Sequence, residues 1–302
     1  MNPSVSAPPP HFPPHFPEAP PALVDVDWLA GRLDDPQVRI VDATFFLPTQ
    51  QRDAAEEHTE CRLPGAVFFD IDAIADPHTN LPHMMPSAEL FAARVGELGI
   101  ANTDHVVAYD AMGVATAACR VWWMFRAFGH GRVSVLDGGL PAWLRRGLPT
   151  EEGPPVPPVP RTFSASGPAR GVVAVDQVLA ALDGGGPPLV DARGAGRFQG
   201  VEPEPRPTAR AGHVPGSLNL PFLDLLDPRE MTFRPSADLA AAFERAGVDP
   251  AQPLVAACGS GVTACVLAVG AHLLGHDTVS VYDGSWAEWG DRADLPIVGP
   301  EG

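Results

Sequence analysis

No apolar run in this sequence reaches the roughly 18 residues of a helical membrane span, so none is expected. Basic residues are scarce: 20 Lys and Arg face 37 Asp and Glu, and no cationic cluster offsets the net charge of −17. That balance opposes binding to nucleic acid or to an anionic membrane, and leaves any anionic ligand to a few focused arginines. The four cysteines show neither C-x-x-C nor disulfide-like spacing, which favours a reducing compartment. The N-terminus lacks the basic, apolar or Arg-rich character of a signal or transit peptide, so the cytoplasm is the expected location. His272 and His276 share a helical face, but with no carboxylate or thiol clearly placed to complete a site, no metal is expected. Nothing calls for a cofactor.

What is present divides the chain. A length of 302 residues with 45% hydrophobic content suits two domains with ordinary cores. Residues 1–21 are too rich in proline for helix or ladder, and a disordered or polyproline-like tail is expected there. Residues 151–160, EEGPPVPPVP, read as a stiff extended linker. The segments on either side repeat one another. Ile40-Val41-Asp42-Ala43-Thr44 matches Leu189-Val190-Asp191-Ala192-Arg193, and Leu63-Pro64-Gly65-Ala66 matches Val214-Pro215-Gly216-Ser217. Val133-Ser134-Val135-Leu136-Asp137-Gly138 matches Val279-Ser280-Val281-Tyr282-Asp283-Gly284, with Trp143 or Trp289 at the same distance beyond. The expected units are 22–150 and 161–302.

Each unit alternates short apolar strands with helical segments. Val38 to Asp42 reads as a buried strand, and Val24-Asp25-Val26-Asp27-Trp28-Leu29 as a capped helix start. Helices are expected over Ala88 to Leu98, 115–128, Ala237 to Ala246 and Thr263 to Leu274. Such alternation implies an α/β fold, made twice: a parallel sheet flanked by helices on both faces. Trp122, Trp123, Phe125 and Phe128 are expected to form an aromatic face of one helix in the core, with domain-interface packing as the alternative.

Residues Leu254 to Leu274 carry the most chemistry: an apolar strand, a Cys-led turn of small residues, then a buried helix. Gly259 and Gly261 let the chain curl and aim backbone N–H groups inward, as a thiolate on Cys258 would require. Each such hydrogen bond to a charged group contributes about 1.5–3 kcal/mol, against about 0.3–1 kcal/mol from a helix N-terminus. Two other readings compete. In one, Cys258 serves only the core, since cysteine is among the most buried residue types. Alternatively, Gly259 to Ala264 fits the G-x-G-x-x-A dinucleotide turn, with Asp283 at a suitable distance. A cysteine phosphatase is excluded, because Ala264 stands where its arginine would be. The repeat places Asp110 where the second unit has Cys258, and a cysteine used only for packing would not ordinarily be matched by a carboxylate. The dinucleotide reading is weakened because too little chain follows Gly259 to complete a doubly wound sheet. Cys265 is expected in the core; Cys61 and Cys119 look incidental.

Asp191-Ala192-Arg193, Gly212-His213-Val214-Pro215-Gly216-Ser217 and the Cys258 loop resemble a rhodanese domain. The duplication resembles tandem-domain sulfurtransferases, in which only the C-terminal copy is active. The resemblance therefore implies two rhodanese-like domains, the first inactive and the second catalytic. Thiosulfate-using members carry basic residues after the cysteine, whereas Gly259-Ser260-Gly261-Val262-Thr263 is similar to the loop of 3-mercaptopyruvate sulfurtransferases. Gly196-Arg197-Phe198-Gln199-Gly200 with Glu202-Pro203-Glu204-Pro205-Arg206 resembles the segment that holds the donor carboxylate and keto oxygen. Arg197 and Arg206 are thus expected to bind donor, along with Gly259, Gly261, Val262 and Thr263. Phe68 to Asp72 and His83-Met84-Met85-Pro86 resemble the segments that supply the family's proposed Ser-His-Asp relay, here Ser260, His83 and Asp72.

The reaction implied passes sulfur from 3-mercaptopyruvate, through a Cys258 persulfide, to thioredoxin, a small thiol or cyanide, and releases pyruvate. Thiosulfate is the alternative donor, and a non-catalytic sulfur carrier or scaffold the alternative function. Two departures bear on the site. Arg62 stands where the family usually has histidine, and His78 competes with His83 for its assignment, though the following Met-Met-Pro favours His83.

Overall fold

A computed structural model describes residues 19–113, 116–182, 184 and 186–300; the expected tail lies outside them except for its last three residues. The first unit runs β1 (Leu23–Val24), α1 (Val26–Ala30), β2 (Val38–Asp42), α2 (Ala54–Glu60), β3 (Val67–Phe68), α3 (Ala88–Glu97), β4 (His105–Tyr109), α4 (Thr116–Ala127), β5 (Val133–Leu136) and α5 (Gly139–Arg145). The second repeats it with β6 (Val172–Val173), α6 (Val175–Ala181), β7 (Leu189–Asp191), α7 (Ala195–Phe198), β8 (Leu218–Asn219), α8 (Ser236–Arg245), β9 (Leu254–Ala257), α9 (Ala264–Leu273), β10 (Val279–Tyr282) and α10 (Ser285–Trp289). The sheet orders are β1-β5-β4-β2-β3 and β6-β10-β9-β7-β8, and every pairing is parallel. The duplication read in the sequence is therefore a duplication of topology.

Local chemistry sets the ends of these elements. Asp25 accepts the Trp28 N–H at 2.7 Å and Ser87 the Leu90 N–H at 3.2 Å, satisfying donors that the first turn of a helix leaves free. The four expected helices appear as α3, α4, α8 and α9, with ends within a residue of those expected, where helices fray. The two-residue strands β1, β3, β6 and β8 escape sequence reading because alternation needs a longer run to show.

Trp122, Trp123, Phe125 and Phe128 are buried in the core as expected, and the burial is wider than one face: α4 is buried on every side from Ala117 to Ala127. The reason is architectural. Helices α4 and α9, which follow the central strands β4 and β9, pack on each other between the two units. One continuous apolar core runs through both units, with a smaller cluster on the outer face of each sheet. Phe128 stacks on Phe91 at 4.4 Å within the first unit, while Trp122 meets His272 of the second at 5.3 Å.

The proline-rich stretch is laid along the first unit. Arg62, buried in place of the expected histidine, donates to the Gly153 carbonyl at 2.7 Å and pairs with Glu151 at 3.4 Å. Further on, Phe163 is buried against Phe91 and Phe125, and Ser166 N–H donates to the Phe128 carbonyl at 2.8 Å.

Candidate active site

Strand β9 ends at Ala257, and Cys258 begins the turn into α9 with 2% of its surface exposed. The loop is pinned from behind by α10. Ser285 Oγ accepts the Cys258 N–H at 3.1 Å, while the N–H groups of Trp286 and Ala287 donate to the Cys258 and Gly259 carbonyls at 3.0 and 2.8 Å. The loop's two glycines differ in what surrounds them: one faces the tip of a side chain, the other backbone. A Cβ on Gly259 would lie 2.8 Å from Arg197 Nη2; one on Gly261, at φ +77°, would lie 2.9 Å from the Asp283 carbonyl oxygen.

The first unit shows what such a turn does. Asp110 Oδ1 accepts the Met112 N–H at 2.8 Å and Oδ2 the Ala117 N–H at 3.3 Å, so the matching loop cradles its own carboxylate. Burial still pushes that carboxyl up to about 7, against the pull of the two donors. The asymmetry noted in the sequence is thus one of side chains on matching turns: a carboxylate held by its own loop in the first copy, a thiol in the second.

Cys258 opens onto a cavity of about 300 Å³ between the units. Gly259, Ser260, Val262 and Thr263 line it from the loop, and Arg197, Glu204 and Arg206 from the segment around α7. The first unit adds Phe45, Leu47 and Met112, none of which the sequence singled out. Gly261, His83 and Asp72 are not among the lining residues.

The two arginines differ. Arg197 Nε donates to Glu204 Oε2 at 3.1 Å, with a second, shorter contact from Nη2. Glu204 Oε1 is held by the buried Arg193 at 2.7 Å, and Arg193 also grips Asp191. Glu204 therefore bridges two guanidiniums and fixes Arg197 beside the loop. Arg206 has no ion pair among the described residues; its guanidinium sits 5.5 Å from the Phe45 ring. Burial lowers its pKa and the Asp72 charge opposes that shift.

His83 and Asp72 do come together: Nδ1 lies 2.8 Å from Asp72 Oδ1, a close but poorly directed contact. His83 is buried, whereas Asp72 and the rival His78 are exposed. Burial holds the imidazole below its ordinary pKa although Asp72 pulls it up, and contact with His83 holds the Asp72 carboxyl below its own. Among the described residues no hydrogen bond joins Ser260 to His83, and the buried Nε2 has no partner. His83 is also held at φ +60°, a conformation that costs a non-glycine residue energy.

One buried ion pair at the edge of the site went unread in the sequence. Arg120 of α4 and Asp283, just after β10, form a buried pair at 2.8 Å that touches both the His83 segment and the Cys258 loop. A signal existed: Arg120 is a cation inside an apolar helix. Asp283 had been a candidate ribose ligand, but its carboxylate is consumed by Arg120 and by the Met85 N–H at 2.6 Å. That overturns the dinucleotide reading.

The remaining candidates are structural. Cys265 donates to the Gly261 carbonyl at 3.3 Å, and burial pushes its thiol up to about 12. His272 does have a carboxylate beside it, contrary to the sequence reading: Asp277 Oδ1 at 2.6 Å, which also accepts from Arg126 at 2.9 Å across the units. Among the described residues no group of three or more His, Cys, Asp or Glu is placed to hold a metal. No helix among them is long and apolar enough to cross a membrane.

The family model for the rhodanese-like domain matches twice, at residues 25–146 and 174–292. Human 3-mercaptopyruvate sulfurtransferase is 44% identical over 93% of this chain and 96% of its own length. Mouse thiosulfate sulfurtransferase is 43% identical over 90% of this chain and 93% of its own length. The crystal structure of SseA from Escherichia coli, described as a 3-mercaptopyruvate sulfotransferase of rhodanese fold, superposes with a TM-score of 0.77 at 39% identity, covering 88% of this chain and 99% of that one. Two matched copies, both on five-stranded parallel sheets and only one bearing a thiol in its loop, place the chain in the tandem rhodanese-like family of sulfurtransferases.

Proposed function

We propose that this protein takes sulfur from 3-mercaptopyruvate and passes it, through a Cys258 persulfide, to thioredoxin or a small thiol, or to cyanide. Residues 22–150 serve as the non-catalytic copy and 161–302 as the catalytic one. In the first half-reaction the Cys258 thiolate attacks the donor sulfur. The carbon–sulfur bond breaks, its electron pair goes to carbon, and pyruvate leaves as the enolate, which takes up a proton. In the second, an acceptor thiolate attacks the outer sulfur, the S–S bond breaks, and Cys258 returns as thiolate.

The observation that carries this reading is the cavity itself. Cys258 and the uncharged Ser260 turn line it together with Arg197, which lies beside the loop, and Arg206. Guanidinium forks suit a 2-keto acid, and a guanidinium without an ion pair can accept a carboxylate without displacing one. Ser260, His83 and Asp72 are assigned to the donor proton, with the orphaned His83 Nε2 as the group that needs a partner. Gly259, Gly261, Val262 and Thr263 form the turn whose N–H groups face developing negative charge on sulfur. Four free cysteines support a reducing compartment, and the cytoplasm is the location proposed.

Comparing kcat/KM for 3-mercaptopyruvate and thiosulfate tests the donor. The expected result favours mercaptopyruvate, and abolition of pyruvate release by Cys258→Ser. Release that survives Cys258→Ser removes the nucleophile. A preference for thiosulfate installs the second reading, for which the mouse relative's name speaks. A persulfide that forms without turnover would mark a sulfur carrier.

A further inference from the structure

The two units meet through a near-symmetric pair of contacts that differ in one respect. In each, the aspartate after the last sheet strand reaches across and accepts a backbone N–H from the loop leading into a Pro-Ser-Ala helix start. Asp137 Oδ1 takes Phe233 N–H at 2.9 Å, and Asp283 Oδ2 takes Met85 N–H at 2.6 Å. Both receiving loops hold a residue in the left-handed region, Met231 at φ +56° and His83 at φ +60°. The asymmetry is Arg120. It sits on α4, is 1% exposed, and donates to Asp283 Oδ1 at 2.8 Å, to the His83 carbonyl at 2.6 Å and to the Gly261 carbonyl at 3.3 Å. Helix α9 carries no arginine, and no ion pair reaches Asp137 among the described residues.

The geometry points to Arg120 as a positioning residue. From the non-catalytic unit, one guanidinium fixes both the Gly261–Val262 peptide of the nucleophile loop and the strained backbone that carries His83. The first half follows from peptide planarity. In a trans peptide the carbonyl and the next N–H point in opposite directions, so anchoring the Gly261 oxygen on Arg120 turns the Val262 N–H away from it, toward the inside of the turn. Rotation of that peptide would cost the cradle a donor. The second half follows from strain. His83 stays at positive φ because its carbonyl is held by Arg120 and the Met85 N–H by Asp283, two anchors on one segment. A buried ion pair is weak evidence for stability, because apolar replacements of such pairs are often neutral or stabilising. Its position between three chain segments is what needs explaining.

The inference rests on the proposed sulfur transfer, and its test separates the two. Arg120→Met alone would strand the Asp283 charge, so the informative variant is Arg120→Met with Asp283→Asn, which removes the pair together. Asp137→Ala is the control, since it breaks the pseudo-equivalent contact, in which no arginine takes part. The paired variant is expected to lose about 10²-fold in kcat for pyruvate release, the scale of a 1 Å misplacement, with donor KM little changed because Arg197 and Arg206 are untouched. Asp137→Ala is expected to lower the unfolding midpoint and leave kcat intact. A second readout needs no donor: the rate at which iodoacetamide alkylates Cys258, followed by intact mass, should fall in the paired variant and not in the control. If the unsubstituted protein does not turn over mercaptopyruvate, the proposed function fails and the alkylation rate still judges Arg120. A folded paired variant with unchanged alkylation overturns the assignment, as does a control that loses equally in both readouts.

Discussion

Substituting Gly261 by alanine probes the nucleophile loop most directly, because its cost has two separable parts. At φ +77° a side chain pays the left-handed penalty of about 1–2 kcal/mol, offset in part by about 0.4–1 kcal/mol from the stiffer unfolded chain. The second part is contact. The new Cβ would stand 2.9 Å from the Asp283 carbonyl oxygen, 3.3 Å from its Oδ1 and 3.4 Å from Arg120 Nη1. Backbone oxygen cannot swing aside as a flexible side chain does, so the loop must shift, at a cost on the scale of core overpacking, about 1–3 kcal/mol. Gly216 supplies the reference: its φ is +74°, and a Cβ there meets nothing within 4 Å. Gly216→Ala thus measures the backbone part alone. Urea unfolding midpoints of the two variants, at unchanged slope, should differ by the contact part, and Gly261→Ala alone should lose kcat, by about 10²-fold for a displacement near 1 Å. Equal destabilisation by the two substitutions, with full kcat in Gly261→Ala, would refute the packing of this loop against Asp283 and Arg120.

The two arginines should separate in donor kinetics. Arg206→Ala removes a guanidinium with no internal ion pair, so kcat/KM for mercaptopyruvate should fall by about 10- to 150-fold, the worth of one charge-assisted hydrogen bond at about 1.5–3 kcal/mol. Arg197→Ala should cost less, since Arg197 is already committed to Glu204; a reversed ranking would refute that order. A third expectation concerns pH. Asp110 titrates near 7 in the fold and near 3.9 unfolded, so the folded chain holds its proton more tightly. Its contribution is therefore most favourable below pH about 4 and is lost as pH rises through about 7. Asp110→Asn should remove that loss, so the stability of the variant minus that of the parent should climb between pH about 4 and about 7 and level off beyond. His105 and His130, depressed to about 4 by burial, act in the opposite sense up to pH about 6.5, which is why only the difference is informative. A difference that stays flat across this window would show that Asp110 is not the titrating group.

By itself the sequence determined the repeated α/β architecture, the helices α3, α4, α8 and α9, and the loop that carries Cys258. These are legible because they are local. Periodicity, glycine in a turn and a strand-to-helix junction each depend on neighbours within a few residues, and two copies of one pattern confirm each other. The pairing of His83 with Asp72 was also readable, but only through resemblance, since nothing in the ten residues of intervening chain dictates that contact. Only the tertiary structure decided the rest. Helix α4 is buried all round because another unit covers the face that a single domain would leave to water. Glu204, quoted in the sequence as part of a proline-rich segment, became the bridge between Arg193 and Arg197 only when that segment folded back on the loop. Asp283 changed from a candidate ribose ligand to the partner of Arg120 for the same reason: the two lie 163 positions apart, and no local pattern can say which distant charge will neutralise a buried one.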